Sequence, residues 1–181
     1  MKSHHMQAHF QKLYVQRDEM EQKLVAFKGM EWERPLQDKW SWGETYYHLY
    51  LMLKNFRRLS KVYIPLTTPV AALRKSKPFT THSPNIYEAY QAKKKKPMKA
   101  PFIIMPPKEI ANNVSFDWLI EELNQETNQL EEIVATVPDD IAGHIRFPDP
   151  LANNPNLIQS IDLLGIHEKH HFLICDKYYR K

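Results

Sequence analysis

At 181 residues, 43% of them hydrophobic and 25% charged, the chain is long enough for a sizeable core and fits one domain spanning residues 1–181. Only four glycines argue against a turn-rich β-barrel or sandwich, and the net charge of +4 is concentrated in Lys93–Lys96 and Lys99, too local to mark a nucleic-acid face. The single cysteine, Cys175, excludes an internal disulfide; Met1-Lys2-Ser3-His4-His5 lacks a signal-peptide core, and no apolar run approaches the roughly 20 residues of a bilayer span, so a cytoplasmic location with no membrane partner is expected.

Taken in chain order, Phe10, Leu13, Met20, Leu24 and Phe27 recur at helical spacing and predict an amphipathic helix over about 6–28, ending near Gly29, with Arg17 intruding on its apolar face. Ser41-Trp42-Gly43-Glu44 has the form of a capping box, in which serine and glutamate satisfy free amides at a helix start. A second helix is expected from there to about residue 63, stopped by Pro65, with Glu44, His48, Leu51, Asn55, Leu59 and Val62 on one face. The start of that face is unusually polar, and burial there must be compensated.

Residues 65–112 are proline-rich and predict a long irregular connection, with Ile86–Lys94 as its one short helix. Phe116, Leu119, Ile120, Leu123, Leu130, Ile133, Val134 and Val137 define a third long helix over 115–137, ended by Pro138. Leu157, Ile161, Leu164, Glu168, His171, Cys175 and Tyr178 define a fourth over 156–179. Helices of about 22 residues are roughly 33 Å long, which suits an all-α four-helix bundle.

His167 and His171 are four apart and point the same way on the last helix, so both imidazoles can hold one ion. Spacing alone fits a backbone- or water-bonded pair equally well. His48, on the inward face of another helix, adds a third neutral imidazole and completes a catalytic-type divalent metal site with an open fourth position. His170 is turned about 100° from His171 and is expected to lie outside the ligand set. His5 and His9 share the four-residue spacing, but at a chain end expected to fray. His82 and His144 fall in connections and are expected to be unrelated to the site.

His167-Glu168-Lys169-His170-His171 also matches the H-E-x-x-H pattern of zinc proteases, with Glu168 in the place of the general base. Such enzymes take a third ligand well downstream, and after His171 the only carboxylate is Asp176. Glu168 is therefore reduced to a supporting role around the metal. Glu44 is either a histidine-orienting group or a helix cap, and the cap is favoured. Cys175 on a helix stripe reads as core filling rather than as a nucleophile. Trp32, Trp40, Trp42, Tyr46 and Tyr47 crowd the start of the second helix as core or as pocket lining.

With these residues assembled, the chain resembles the DinB-like (YfiT-like) bacterial metalloprotein family. The resemblance rests on Trp40-Ser41 followed by His48-Leu49, on His167-x-x-x-His171 with the doubled His170-His171, and on a long second connection containing Lys99-Ala100-Pro101 and Pro106. It implies an up-down-down-up bundle, a zinc or nickel ion on His48, His167 and His171, and a homodimer. Characterised relatives include S-transferases that use bacillithiol or mycothiol, so a thiol S-transferase acting on a small molecule with a low-molecular-weight thiol is the expected function. A metal-dependent hydrolase and a non-enzymatic metal-binding module are the alternatives. Where the resemblance calls for a polar residue three positions after the last ligand, this chain has Ile174.

Overall fold

The computed structural model describes residues 1–94, 101–150 and 152–179. Among them are six α-helices: α1 (His4–Leu24), α2 (Trp42–Ala72), α3 (Ile86–Lys94), α4 (Phe116–Val134), α5 (Asp139–Ala142) and α6 (Leu157–Tyr179). None is long and apolar enough to cross a membrane.

Cross-helix pairs fix the helix directions. His9 meets Asp162, Arg17 meets Glu168 and Lys23 meets Asp176, so α1 and α6 run parallel. Tyr46 packs on Phe116, Tyr50 on Trp118, and Arg57 pairs with Glu126, so α2 and α4 are parallel as well. Across the bundle the order reverses: Thr45 faces Cys175 while His48 faces His167, and Tyr14 reaches Glu131 while Arg17 reaches Asn124. The long helices α1, α2, α4 and α6 therefore form an up-down-down-up bundle. Parallel α2 and α4 require the chain to travel back along the whole of α2, about 46 Å for 31 residues, before α4 begins. That return is what the 73–115 connection does.

Helix starts are set by side-chain caps. Ser41 accepts from the Glu44 amide at 3.1 Å while Glu44 accepts from the Ser41 amide at 2.8 Å, completing the predicted box. Ser115 caps α4 through the Trp118 amide, and Asn156 exchanges reciprocal bonds with Gln159 at the start of α6. Gly43 is needed where it stands, since a Cβ there would lie 2.3 Å from the Trp32 ring. Gly29, at φ 87, turns the chain out of the short 3₁₀ segment Val25–Phe27 that follows α1.

Three expectations need correction. The chain start does not fray: Ser3 caps α1 through the Met6 amide, its hydroxyl bonds Asp139, and the Lys2 amide bonds the Ala135 carbonyl. Pro65 does not stop α2, which continues to Ala72 with both Pro65 and Pro69 inside it. Both prolines are exposed, so the carbonyls left without amide partners one turn earlier can be hydrated, and Thr67 and Thr68 add hydroxyl bonds to the Tyr63 and Ile64 carbonyls nearby. The buried stripe of α2 also differs from the expected one. Leu59 is 48% and Val62 61% exposed, while Leu49, Tyr50, Leu53, Ser60, Ile64 and Ala71 face the core.

The core joins Phe10, Leu13 and Met20 of α1, Trp42, Tyr46 and Leu49 of α2, Leu119, Leu123 and Leu130 of α4, and Leu157, Ile158, Ile161 and Phe172 of α6. Lys93 and Lys94 close α3; the rest of the lysine run, Lys95, Lys96 and Lys99, lies outside the described residues.

Candidate metal centre

Antiparallel packing of α2 against α6 brings His48 level with His167 and His171. One ring nitrogen from each lies within 4.8 Å of the other two, close enough to hold one metal ion. A tetrahedral ion roughly 2.1 Å from each nitrogen would separate neighbouring nitrogens by roughly 3.4 Å, which falls within that 4.8 Å limit. The ring centroids of His48 and His167 each lie 4.6 Å from that of His171.

The hydrogen bonds of the outer ring nitrogens determine which inner ones are free. His48 Nδ1 lies 2.7 Å from the Ile104 carbonyl oxygen. A carbonyl only accepts, so Nδ1 carries the proton, and Nε2 of the neutral ring is a bare lone pair. That lone pair faces His167 Nε2 at 3.0 Å. On the far side of His167, Nδ1 meets the Tyr87 hydroxyl. When His167 Nδ1 donates to Tyr87, its Nε2 is bare as well, and two lone pairs converge on one point. When Tyr87 donates instead, His167 Nε2–H bonds His48. One proton or one cation thus satisfies the same pair of nitrogens.

The electrostatics favour neutral rings. Burial lowers the pKa of His48 despite its bond to Ile104. Burial, then the neighbouring imidazoles, hold His167 and His171 well below the ordinary histidine range. Both residues keep some accessible surface while being hemmed in by chain on most sides. Burial together with the negative charge of Asp149 raises the pKa of Tyr87, which stays a neutral phenol.

Trp40 is the one member of the aromatic group around the start of α2 whose ring packs on the histidines, 5.0 Å from His48 and stacked at 6.0 Å on His171. Trp42 and Tyr46 are core residues, Trp32 packs against Gly43, and Tyr47 lies on Tyr50. His170 stacks face to face on Tyr87 with centroids 3.9 Å apart, steadying the phenol that bonds His167. The two acidic residues considered for supporting roles are engaged elsewhere. Glu168 bonds Arg17 and Gln16 of α1, and Glu44 bonds Ser41 and Arg34. Cys175 is buried beside Thr45, and burial pushes its thiol up to about 12.

Tyr87 and the Ile104 carbonyl had no sequence signal. Both lie in the 73–115 connection, and only the path of that connection over the histidines brings them there. A surface cavity of about 850 Å³, lined by Trp32, Asn112, Phe116 and Ile120 among others, includes none of the three histidines.

A family model described as the DinB superfamily matches residues 12–175. The chain has no match among curated proteins and none among solved structures.

Proposed function

The chain belongs to the DinB superfamily, and on that premise we propose that it uses a divalent metal, zinc or nickel, held by His48, His167 and His171, and acts as a thiol S-transferase on a small molecule. The observation that supports the metal is the His48 Nδ1–Ile104 contact of 2.7 Å, which leaves the opposite nitrogen as a lone pair aimed at His167. The choice of a thiol rests on the resemblance to the family's S-transferases.

In this reading His48 is oriented by the Ile104 carbonyl and His167 by the Tyr87 hydroxyl, so both present Nε2 inward. Trp40 covers His48 and His171 and restricts water on that side. When bound, the cation keeps its full charge, since three neutral imidazoles offset none of it, and supplies the Lewis acidity that lowers the pKa of an incoming thiol or water. In this reading the thiol comes from outside the chain, since Cys175 is buried in the core against the Thr45 hydroxyl and burial pushes its thiol up to about 12.

Elemental analysis of the purified protein beside His48→Ala and His171→Ala tests the site, with about one equivalent expected to be lost in each variant. Equal metal in all three overturns it. The metal-loaded protein is then offered a low-molecular-weight thiol and a panel of electrophiles, with conjugates read by mass spectrometry. Metal-dependent conjugates support the transferase; ester cleavage without conjugates replaces it with a hydrolase, and absence of both replaces it with a metal-binding module.

A further inference from the structure

A second group of donors lies on the opposite flank of α6. His9 of α1, His82 of the connection and Asp162 of α6 place one ligand atom each within 4.8 Å of the other two. His9 Nδ1 is 3.1 Å from Asp162 Oδ1, and His82 Nδ1 is 3.8 Å from Asp162 Oδ2. The rings of His9 and His82 meet edge to face, with centroids 5.2 Å apart.

A backbone carbonyl fixes the tautomer of His9 as it does that of His48. His9 Nε2 lies 2.9 Å from the Thr81 carbonyl oxygen, so Nε2 carries a proton and donates. In the neutral ring Nδ1 is then a bare lone pair. His9 is only 3% exposed, and its Nδ1 is a buried atom with no hydrogen-bond partner in proper geometry, although a carboxylate oxygen lies 3.1 Å away. A lone pair and an anionic oxygen at that distance repel unless a positive charge lies between them. A second proton on His9 is one such charge, and a cation shared with His82 is the other.

The surroundings fit the cation. The Ser83 amide donates to Asp162 Oδ2 at 2.8 Å, orienting the carboxylate. The segment carrying His82 is fastened to α6 by Asn156 Nδ2 to the Thr80 carbonyl, Gln159 Nε2 to the His82 carbonyl and Ser83 Oγ to the Gln159 carbonyl. A groove of about 580 Å³ between α1 and α6 is lined by both His9 and Asp162 and gives access from solvent. With two imidazoles and one carboxylate, the donor set is that of a zinc-type ion with one position left for water.

We infer that His9, His82 and Asp162 form a second divalent-metal site, which ties the connection after α2 to α1 and α6. Tyr87 follows His82 by five residues, so fixing His82 also fixes the start of α3 and the phenol that bonds His167.

The test uses the full chain carrying His4→Ala and His5→Ala, which removes the two terminal histidines as stray ligands. After zinc loading and gel filtration, elemental analysis should find two equivalents. Adding His82→Ala, a change at an exposed loop residue, should remove one equivalent and weaken that site at least about tenfold. Adding His48→Ala and His171→Ala instead should remove the other equivalent, and zinc should still raise the melting temperature of this variant, an effect that His82→Ala should abolish. Asp162→Asn should behave as His82→Ala does. Stoichiometry unchanged by His82→Ala, or no zinc on the His48→Ala/His171→Ala protein, overturns the second site. Loss of zinc only with His82→Ala upholds it and overturns the three-histidine reading.

Discussion

Glu168 and Arg17 face each other across the α1–α6 interface with both side chains buried, Arg17 Nη2 2.8 Å from Oε2 and Nε 3.0 Å from Oε1. Nη1 of the same guanidinium donates to Thr127 and Asn124 and, at 3.4 Å, to the Leu123 carbonyl of α4, so one charge pair ties three helices together. Glu168→Ala leaves that guanidinium buried without its counter-charge, a change that costs about 3–5 kcal/mol. Urea unfolding should show a loss of this size, while the metal content of the folded fraction stays unchanged. A variant of normal stability that fails to bind metal would return Glu168 to the metal centre.

Tyr87 is the outer partner of His167 and is held flat by His170. Tyr87→Phe keeps the stack and removes only the hydroxyl, so His167 loses the group that selects its tautomer. Metal affinity is expected to fall about 10–100-fold, the usual effect of deleting such a partner. Competition against a chromophoric chelator measures it, with His170→Phe as the control expected to have a smaller effect. Equal affinities for wild type and Tyr87→Phe would remove the phenol from the site.

How much of this was readable in advance depended on how local each determinant is. The apolar stripes of α1, α4 and α6, the Ser41/Glu44 box and the bounds of α3 come from spacing within one segment, and the helices follow them. His167 and His171 were picked out by their four-residue spacing and His48 by its place on an inward face, and the antiparallel α2–α6 packing brings the three level. Pro65 misled because the cost of a proline depends on whether the carbonyl it leaves unpaired faces water, which a sequence does not display. Arg17 stood out on an apolar stripe, but its partner lies on a helix that only the fold places beside it. His9, His82 and Asp162 come from three separate segments with no spacing signal, and His9 was further discounted by the expectation of a frayed end that Ser3 and Asp139 in fact secure.

The metal-free protein should lose stability as the solution is acidified from pH 7.5 to 5.5. Burial holds His48, His167 and His171 below the ordinary value of about 6.5 in the folded state, while the unfolded chain titrates near that value. Between the two the unfolded chain binds more protons, so stability rises with pH across this window and falls as pH drops through it. The window lies above the ordinary carboxylate range of about 4, which limits the acidic contribution. Urea midpoints of chelator-treated protein should therefore decline toward pH 5.5, and more shallowly in His171→Phe, which removes one of the three groups. A slope that His171→Phe leaves unchanged would contradict the burial of that ring in neutral form.

Cys175 gives a test of the core beside the metal centre that needs no ligand. The residue is 3% exposed, and its thiol lies 3.3 Å from the Thr45 hydroxyl and is pushed by burial up to about 12. At pH 7.5 the thiolate needed for disulfide exchange is a minute fraction, and the sulfur is shielded from a bulky reagent. Dithionitrobenzoate should label the folded protein slowly, at the rate of local opening, and should label it at once in urea. On the proposed reading, in which the reacting sulfur comes from solution, Cys175→Ala should leave metal-dependent conjugation of an added thiol intact. Rapid labelling of the folded chain, or loss of conjugation in a stable Cys175→Ala variant with full metal content, would make Cys175 a participant in the chemistry instead of a part of the core.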